Sequence, residues 1–299
     1  MIRMSYRESW PAAAAQKRRE VSVEEACAFA PGNISCVFKI VHHEDPRKMH
    51  SLGMGFTIED GVRVAVRLAG RTTVLFNGGE IQFPTVASAV RKLTPRPIRV
   101  DIESGLPLGC GFGLSGASAL AAAYSVNALL DLGRPDEDLA MTAHVAEVEN
   151  LTGLGDVCGQ YHGGWLVKLH EGQPLAAQRL PVGEPPVYFR FYGPIATREV
   201  LGSAEQKERI NRAADDALRE IGRLIESGAA DFDACIGLSK AFAVESGLLR
   251  DERVLRAIRQ VEADGGVASM IMLGNAVFST RAFEGARKTT LSHQKARGL

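Results

Sequence analysis

Four glycines, Gly109, Gly111, Gly113 and Gly116, crowd into eight residues of the stretch LPLGCGFGLSGASALAAAYSVN (106–127), and a run of small helix-forming residues follows at once. Glycine tolerates positive φ and lets the backbone approach a neighbour closely. A glycine-rich turn that opens a helix gathers unpaired N–H groups and the positive end of the helix dipole at one spot. That arrangement suits phosphate. The bland alternative is a small-residue loop packed tightly in a core, but four glycines cost much chain entropy for packing alone.

Two common phosphate loops fit less well. The spacing Gly111-x-Gly113-x-x-Gly116 matches a dinucleotide fingerprint, which needs a strand running straight into the first glycine and an acid about 20 residues later at a second strand end. Here Ser104–Pro107 separates the strand-like Ile98–Glu103 from the loop, and Asp131 closes a helix. A Walker A loop requires Lys and Ser/Thr after its last glycine. Ala117 and Ser118 stand there, so that motif is rejected.

The rest of the composition narrows the class. With 299 residues, 45% of them hydrophobic and 23% charged, the chain can bury a sizeable core in one or two domains. A net charge of zero argues against nucleic acid or an anionic membrane surface as partner. No segment approaches about 18 uninterrupted apolar residues, so no membrane span is expected. Five scattered cysteines without CxxC spacing read as reduced thiols of a cytoplasmic protein. His42, His43 and His50 fall in a polar stretch and read as surface side chains. Residues 1–20 read as a flexible extension, with Met4 an equally good start.

Along the chain, Val21–Ala30 reads as a strand, Ala30–Asn33 as a turn and Ile34–Val41 as a second extended run. Further strands are expected around Val62–Val66, at Thr72–Phe76 and at Ile98–Glu103, with a hairpin at Asn77-Gly78-Gly79. Helices are expected at Thr85–Leu93, from the glycine loop to Leu130 and from Pro135 to Asn150. Thr152–Asp156 is a second glycine turn carrying one carboxylate, and Gly163–Leu169 a strand. Composition shifts near 171–186, dividing the chain into lobes 21–175 and 176–299. Beyond it come a strand (Val187–Tyr192), helices at Ala204–Ser227, Asp231–Glu245 and Asp251–Ala263, two strands (Ser269–Leu273, Ala276–Ser279) and a basic tail from Arg287 read as solvated. Strands and helices without steady alternation indicate α+β.

A phosphate loop calls for a base and a magnesium ligand. Glu147 and Glu149 on the helix 136–150 lie about 200° apart, so one of them at most can face a shared site. Glu147 shares its face with Ala140, Ala143 and His144 and is preferred. Asp156 sits just before an apolar strand, where an unpartnered charge is costly; a buried turn-capping aspartate is the other option.

Three blocks, AFAPGNIS (28–35), PLGCGFGLSGASA (107–119) and VASMIMLGNAVFS (267–279), resemble the GHMP kinase superfamily. AH-x-AEV (143–148) and TGLGDV (152–157) resemble, within it, the archaeal pantoate kinases. The resemblance spans about residues 22–280. It implies a two-lobed α+β fold with a ferredoxin-like C-terminal lobe and an ATP-dependent transfer to the terminal hydroxyl of pantoate, in coenzyme A synthesis. ATP, Mg²⁺ and pantoate are then the expected ligands, with no nucleic acid or membrane partner; a homodimer is compatible with it. The phosphates fall to Gly109, Gly111, Gly113, Leu114, Ser115, Gly116 and Ala117, the metal to Ser115 and Glu147, and the attacking hydroxyl to Asp156. Gly274 carries the third motif. Asn33 replaces the usual basic residue and Cys36 the usual glycine, so the acceptor's carboxylate needs a cation elsewhere. Lys39 and Arg198 are the candidates, beside Asn33 and Ser35 as further acceptor contacts. Competing expectations are a related kinase acting on shikimate, homoserine or mevalonate, and a non-catalytic nucleotide-binding regulator.

Overall fold

Two long strands dominate the first half of the molecule. A computed structural model describes residues 24–195 and 203–299. In it β1 (Ala26–Val41) and β2 (His50–Leu68) pair antiparallel along almost their whole length. The expected turn at Ala30–Asn33 is instead a bulge inside β1: the register shifts between Pro31 and Gly32, and again between Ser35 and Val37. Proline cannot donate to the ladder and is tolerated at a bulge, so the Pro-Gly pair bends the strand without ending it. Asn33 and Ser35, two apart and therefore on one face, lie between the two irregularities.

The first sheet is completed by β3 (Thr73–Phe76), β4 (Gly79–Glu80), β5 (Ile98–Glu103), β6 (Trp165–Lys168) and β7 (Gln178–Arg179), and by β12 (Arg297–Gly298) at the edge of β1. The β3–β4 hairpin turns on Asn77 (φ 48°) and Gly78 (φ 82°), the geometry its Asn-Gly sequence demands. Helices α1 (Pro84–Leu93), α2 (Leu114–Leu129) and α3 (Asp136–Asn150) pack together, with α2 lying against β1 and β2. Only a helix of small residues can be enclosed this completely: Ala117, Ala119 and Ala121–Ala123 are fully buried. A short helix, α4 (Asp156–His162), starts at the tip of the second glycine turn, where the sequence showed only a turn.

The second sheet orders β11 (Arg287–Thr290), β8 (Pro186–Pro194), β10 (Gly274–Ser279) and β9 (Ala268–Met270), all antiparallel. Against it pack α6 (Phe232–Glu245) and α7 (Glu252–Ala263), while α5 (Ala204–Glu226) packs on α6 and on β1; the acids capping α6 and α7, Asp231 and Asp251, accept backbone N–H bonds. Together the layers make the mixed α+β architecture expected of two lobes.

The tail is not solvated. Arg287–Thr290 pairs with β8, Leu291 is fully buried, and Arg297–Gly298 adds to β1. His50 is also buried on β2, whereas His42 and His43 are exposed. All five cysteines are unpaired. Among the described residues no helix is long and apolar enough to cross a membrane.

Candidate active site

The glycine loop joins β5 to α2 and is braced from both sheets. Gly109, Gly111 and Gly113 all adopt positive φ (74°, 88° and 62°). A side chain at Gly111 would strike the Met272 carbonyl at 2.6 Å, and one at Gly274 the Cys110 carbonyl at 2.1 Å. The third motif is thus the support on which the loop rests. At its outer end Ile195 N–H donates to the Gly109 carbonyl (3.0 Å). The first intrahelical bond of α2 runs from Ala117 N–H to Gly113, leaving the N–H groups of Leu114, Ser115 and Gly116 without helical partners. Beside them opens a cavity of about 400 Å³, lined by the loop, by Ser115, Thr152 and Asp156, and by the apolar Ile81, Phe83 and Leu151.

Two carboxylates meet under this loop. Glu147, on the buried face of α3, is 1% exposed. Its Oε1 accepts from Ser115 Oγ and Thr152 Oγ1, both at 2.6 Å, and Thr152 lies 2.9 Å from Thr85 of α1. Its Oε2 is buried and has no partner. Gly116 and Gly153 make the room, since side chains there would come within 3.2 Å and 2.2 Å of Oε2. Burial, and then the charge of Asp156, push the Glu147 carboxyl up to about 7. Glu149, one face away, turns to the surface and pairs with Lys92 at 2.8 Å.

Asp156 begins α4. Its Oδ1 accepts from Asn33 Nδ2 (2.8 Å) and Ser35 Oγ (3.2 Å), so the segment between the β1 bulges orients it. Burial raises its pKa, and the bonds from Asn33 and Ser35 oppose the rise. A buried oxygen without a partner beside a Ser hydroxyl and a second carboxylate is a donor set for a hard cation, which needs only one or two protein oxygens when phosphates supply others. Among the described residues no group of three or more His, Cys, Asp or Glu is assembled that could hold a metal ion.

A second, smaller chamber of about 60 Å³ shares Ser35, Phe38, Ser51 and Gly155 with the large cavity. Its walls include Val37, Met54, Cys158 and Leu166, and one cation, Lys168. Lys168 donates to the Gln173 and Pro174 carbonyls, and its pKa is lowered by burial. Among the described residues no carboxylate pairs with it. Lys39, by contrast, is bound to Asp215 at 2.6 Å and lines neither cavity. Arg198 lies outside the described residues. Sequence reasoning missed Lys168 and Ser51. The available signal was a lone charge interrupting the apolar run Trp165–Leu169.

Residues 83–164 match the model of the GHMP kinase N-terminal domain. Pantoate kinase of Methanocaldococcus jannaschii is 31% identical over 255 residues, covering 84% of this chain and 90% of the relative. Pantoate kinase of Methanospirillum hungatei is 30% identical over 260 residues, covering 84% and 86%. A solved structure described as a phosphotransferase related to the coenzyme A biosynthesis pathway superposes with a TM-score of 0.79 at 25% identity, covering 92% of this chain and 98% of that one.

Proposed function

We propose that this chain, which belongs to the pantoate kinase family of the GHMP kinases, transfers the γ-phosphoryl group of ATP to the terminal hydroxyl of pantoate. The observation that carries the proposal is the juxtaposition of an oriented, half-buried Asp156 with the first turn of α2, in a cavity that shares Ser35, Phe38, Ser51 and Gly155 with a smaller chamber lined by Lys168.

The large cavity has the size of a nucleotide site. In this reading the unpaired N–H groups of Leu114, Ser115 and Gly116 receive the phosphates, as the helix dipole favours. Ile81, Phe83 and Leu151 offer an apolar resting place for the base. Ser115 and Glu147 would hold Mg²⁺, which when bound neutralises charge on the transferring phosphoryl group. Asp156 accepts the hydroxyl's proton. An ordinary carboxylate is a feeble base for an alcohol, but burial strengthens this one, and a loose transition state lets the proton leave late. Positioning therefore carries most of the acceleration.

Pantoate is a branched hydroxy acid with a primary hydroxyl at one end and a carboxylate at the other. Lys168 supplies the cation that Asn33 does not, and Val37, Met54 and Leu166 suit the dimethyl carbon between the two ends. Homoserine carries an ammonium as well, and among the described residues no carboxylate lines the small chamber to receive it. Product identification tests the proposal. Phosphorus NMR of a reaction with ATP, Mg²⁺ and pantoate is expected to show a phosphomonoester on the terminal hydroxyl, formed one-for-one with ADP. Release of ADP and free phosphate without an ester would reject it.

A further inference from the structure

We infer that Asn33 reads the secondary hydroxyl of the acceptor with its carbonyl oxygen while its amide holds Asp156, joining acceptor recognition to placement of the base in one side chain. The inference rests on the pantoate reading above and specifies its contacts.

Asn33 is 4% exposed and tied at both ends. Its backbone N–H donates to the Phe112 carbonyl of the glycine loop (3.0 Å), and its Nδ2 donates to Asp156 Oδ1 (2.8 Å). The orientation of the carboxamide follows from chemistry, because an ionised carboxylate only accepts. Its Oδ1 therefore points away from Asp156, and it is buried without a partner. Gly159 faces it so closely that a side chain there would stand 2.3 Å from Oδ1. Gly159 cannot satisfy the oxygen, since its N–H is taken by the Gly155 carbonyl (3.3 Å).

Leaving a buried acceptor unpaired is costly, so one that persists beside a binding chamber marks a place for a donor. Asn33, Gly159 and Lys168 all line the small chamber. The lysine's protons are directed at the Gln173 and Pro174 carbonyls. On this inference the donor arrives with the acceptor. Pantoate's two hydroxyls stand on carbons separated by the single dimethyl carbon, and its carboxylate adjoins the secondary one. With the primary hydroxyl at Asp156 and the carboxylate toward Lys168, the secondary hydroxyl comes to the Asn33 side. A carbonyl oxygen can accept from a hydroxyl but gains nothing from hydrogen or from a ketone. The chamber should therefore prefer the hydroxy acid over both its deoxy and its oxo analogue.

The test is kcat/KM for pantoate, for the analogue with hydrogen in place of the secondary hydroxyl, and for the oxo analogue. It is run on the wild type, Asn33→Ala and Gly159→Ala, with pantoate and deoxy-analogue binding measured by calorimetry so that a slow variant is still read. The wild type is expected to favour pantoate at least about 10-fold. Both variants should lose turnover and bring the preference to within about twofold, because the Gly159→Ala methyl displaces the same oxygen. A preference that survives in both variants, or a wild type indifferent among the three acids, overturns the inference while the kinase reading stands. A wild type that ignores pantoate and phosphorylates an unrelated alcohol removes both.

Discussion

At the scale of single residues, the chemistry comes down to two carboxylates, Glu147 buried and Asp156 half-buried, treated differently by their neighbours. Asp156 is held by two donors on one oxygen, which leaves the other to a substrate. Asp156→Asn keeps the shape but cannot take a proton. Turnover is expected to fall about 10²–10⁴-fold with ATP affinity retained in calorimetry; near-normal turnover would remove Asp156 from the mechanism. Glu147 titrates near 7 in the folded protein against 4.5 for an unstrained glutamate. Between those values the unfolded chain has lost its proton while the folded one keeps it, so the wild type loses stability as pH rises from about 4.5 to 7. In metal-free buffer without nucleotide, Glu147→Gln should melt several degrees above the wild type at pH 8, and the gap should close near pH 4.5. An equal gap at both pH values would contradict a buried, ionising Glu147. The separation of Glu147 from Glu149 was legible from helical periodicity alone. Lys168 was not, since a single lysine in a short strand looks like any exposed charge until the chamber around it is known.

Among the elements, the decisive contact is between the glycine loop and the β9–β10 turn. The loop was legible because positive-φ positions select glycine so strongly. Its support was visible only as a distant third motif, because nothing local in the sequence says that Gly274 meets Cys110. A Gly274→Ala methyl would collide with backbone on that loop, which cannot yield like a flexible side chain. The variant is expected to bind ATP at least about 10-fold more weakly by calorimetry. Gly172→Ala, at a glycine with open space around it, should bind as the wild type does. The Pro31-Gly32 bulge shows the opposite limit. Turn-forming residues in sequence announced an interruption, but the pairing of β1 with β2 carried the strand through it. The interruption became the device that aims Asn33 and Ser35.

Over the whole molecule, the chain's end closes what its beginning opens. The basic residues from Arg287 onward resemble a solvated tail because Lys and Arg cover an edge strand's outer side. Yet Leu291 is fully buried, Ser292 exchanges bonds with Thr57, and Arg297 pairs with Phe29. Such long-range pairing leaves no periodic trace in so short a segment. Leu291→Ala is expected to cost about 2–5 kcal/mol in denaturant unfolding, a loss no solvated tail could cause. The two sheets meet at the glycine loop beside the large cavity, while the small chamber is walled by the first sheet and α4, and this placement makes acceptor choice the central question. The most direct measurement is kcat/KM for pantoate, shikimate, homoserine and mevalonate with ATP and Mg²⁺, followed by ADP release. Pantoate should exceed every other acceptor by about 10²-fold or more; faster turnover of any of the other three would contradict the account.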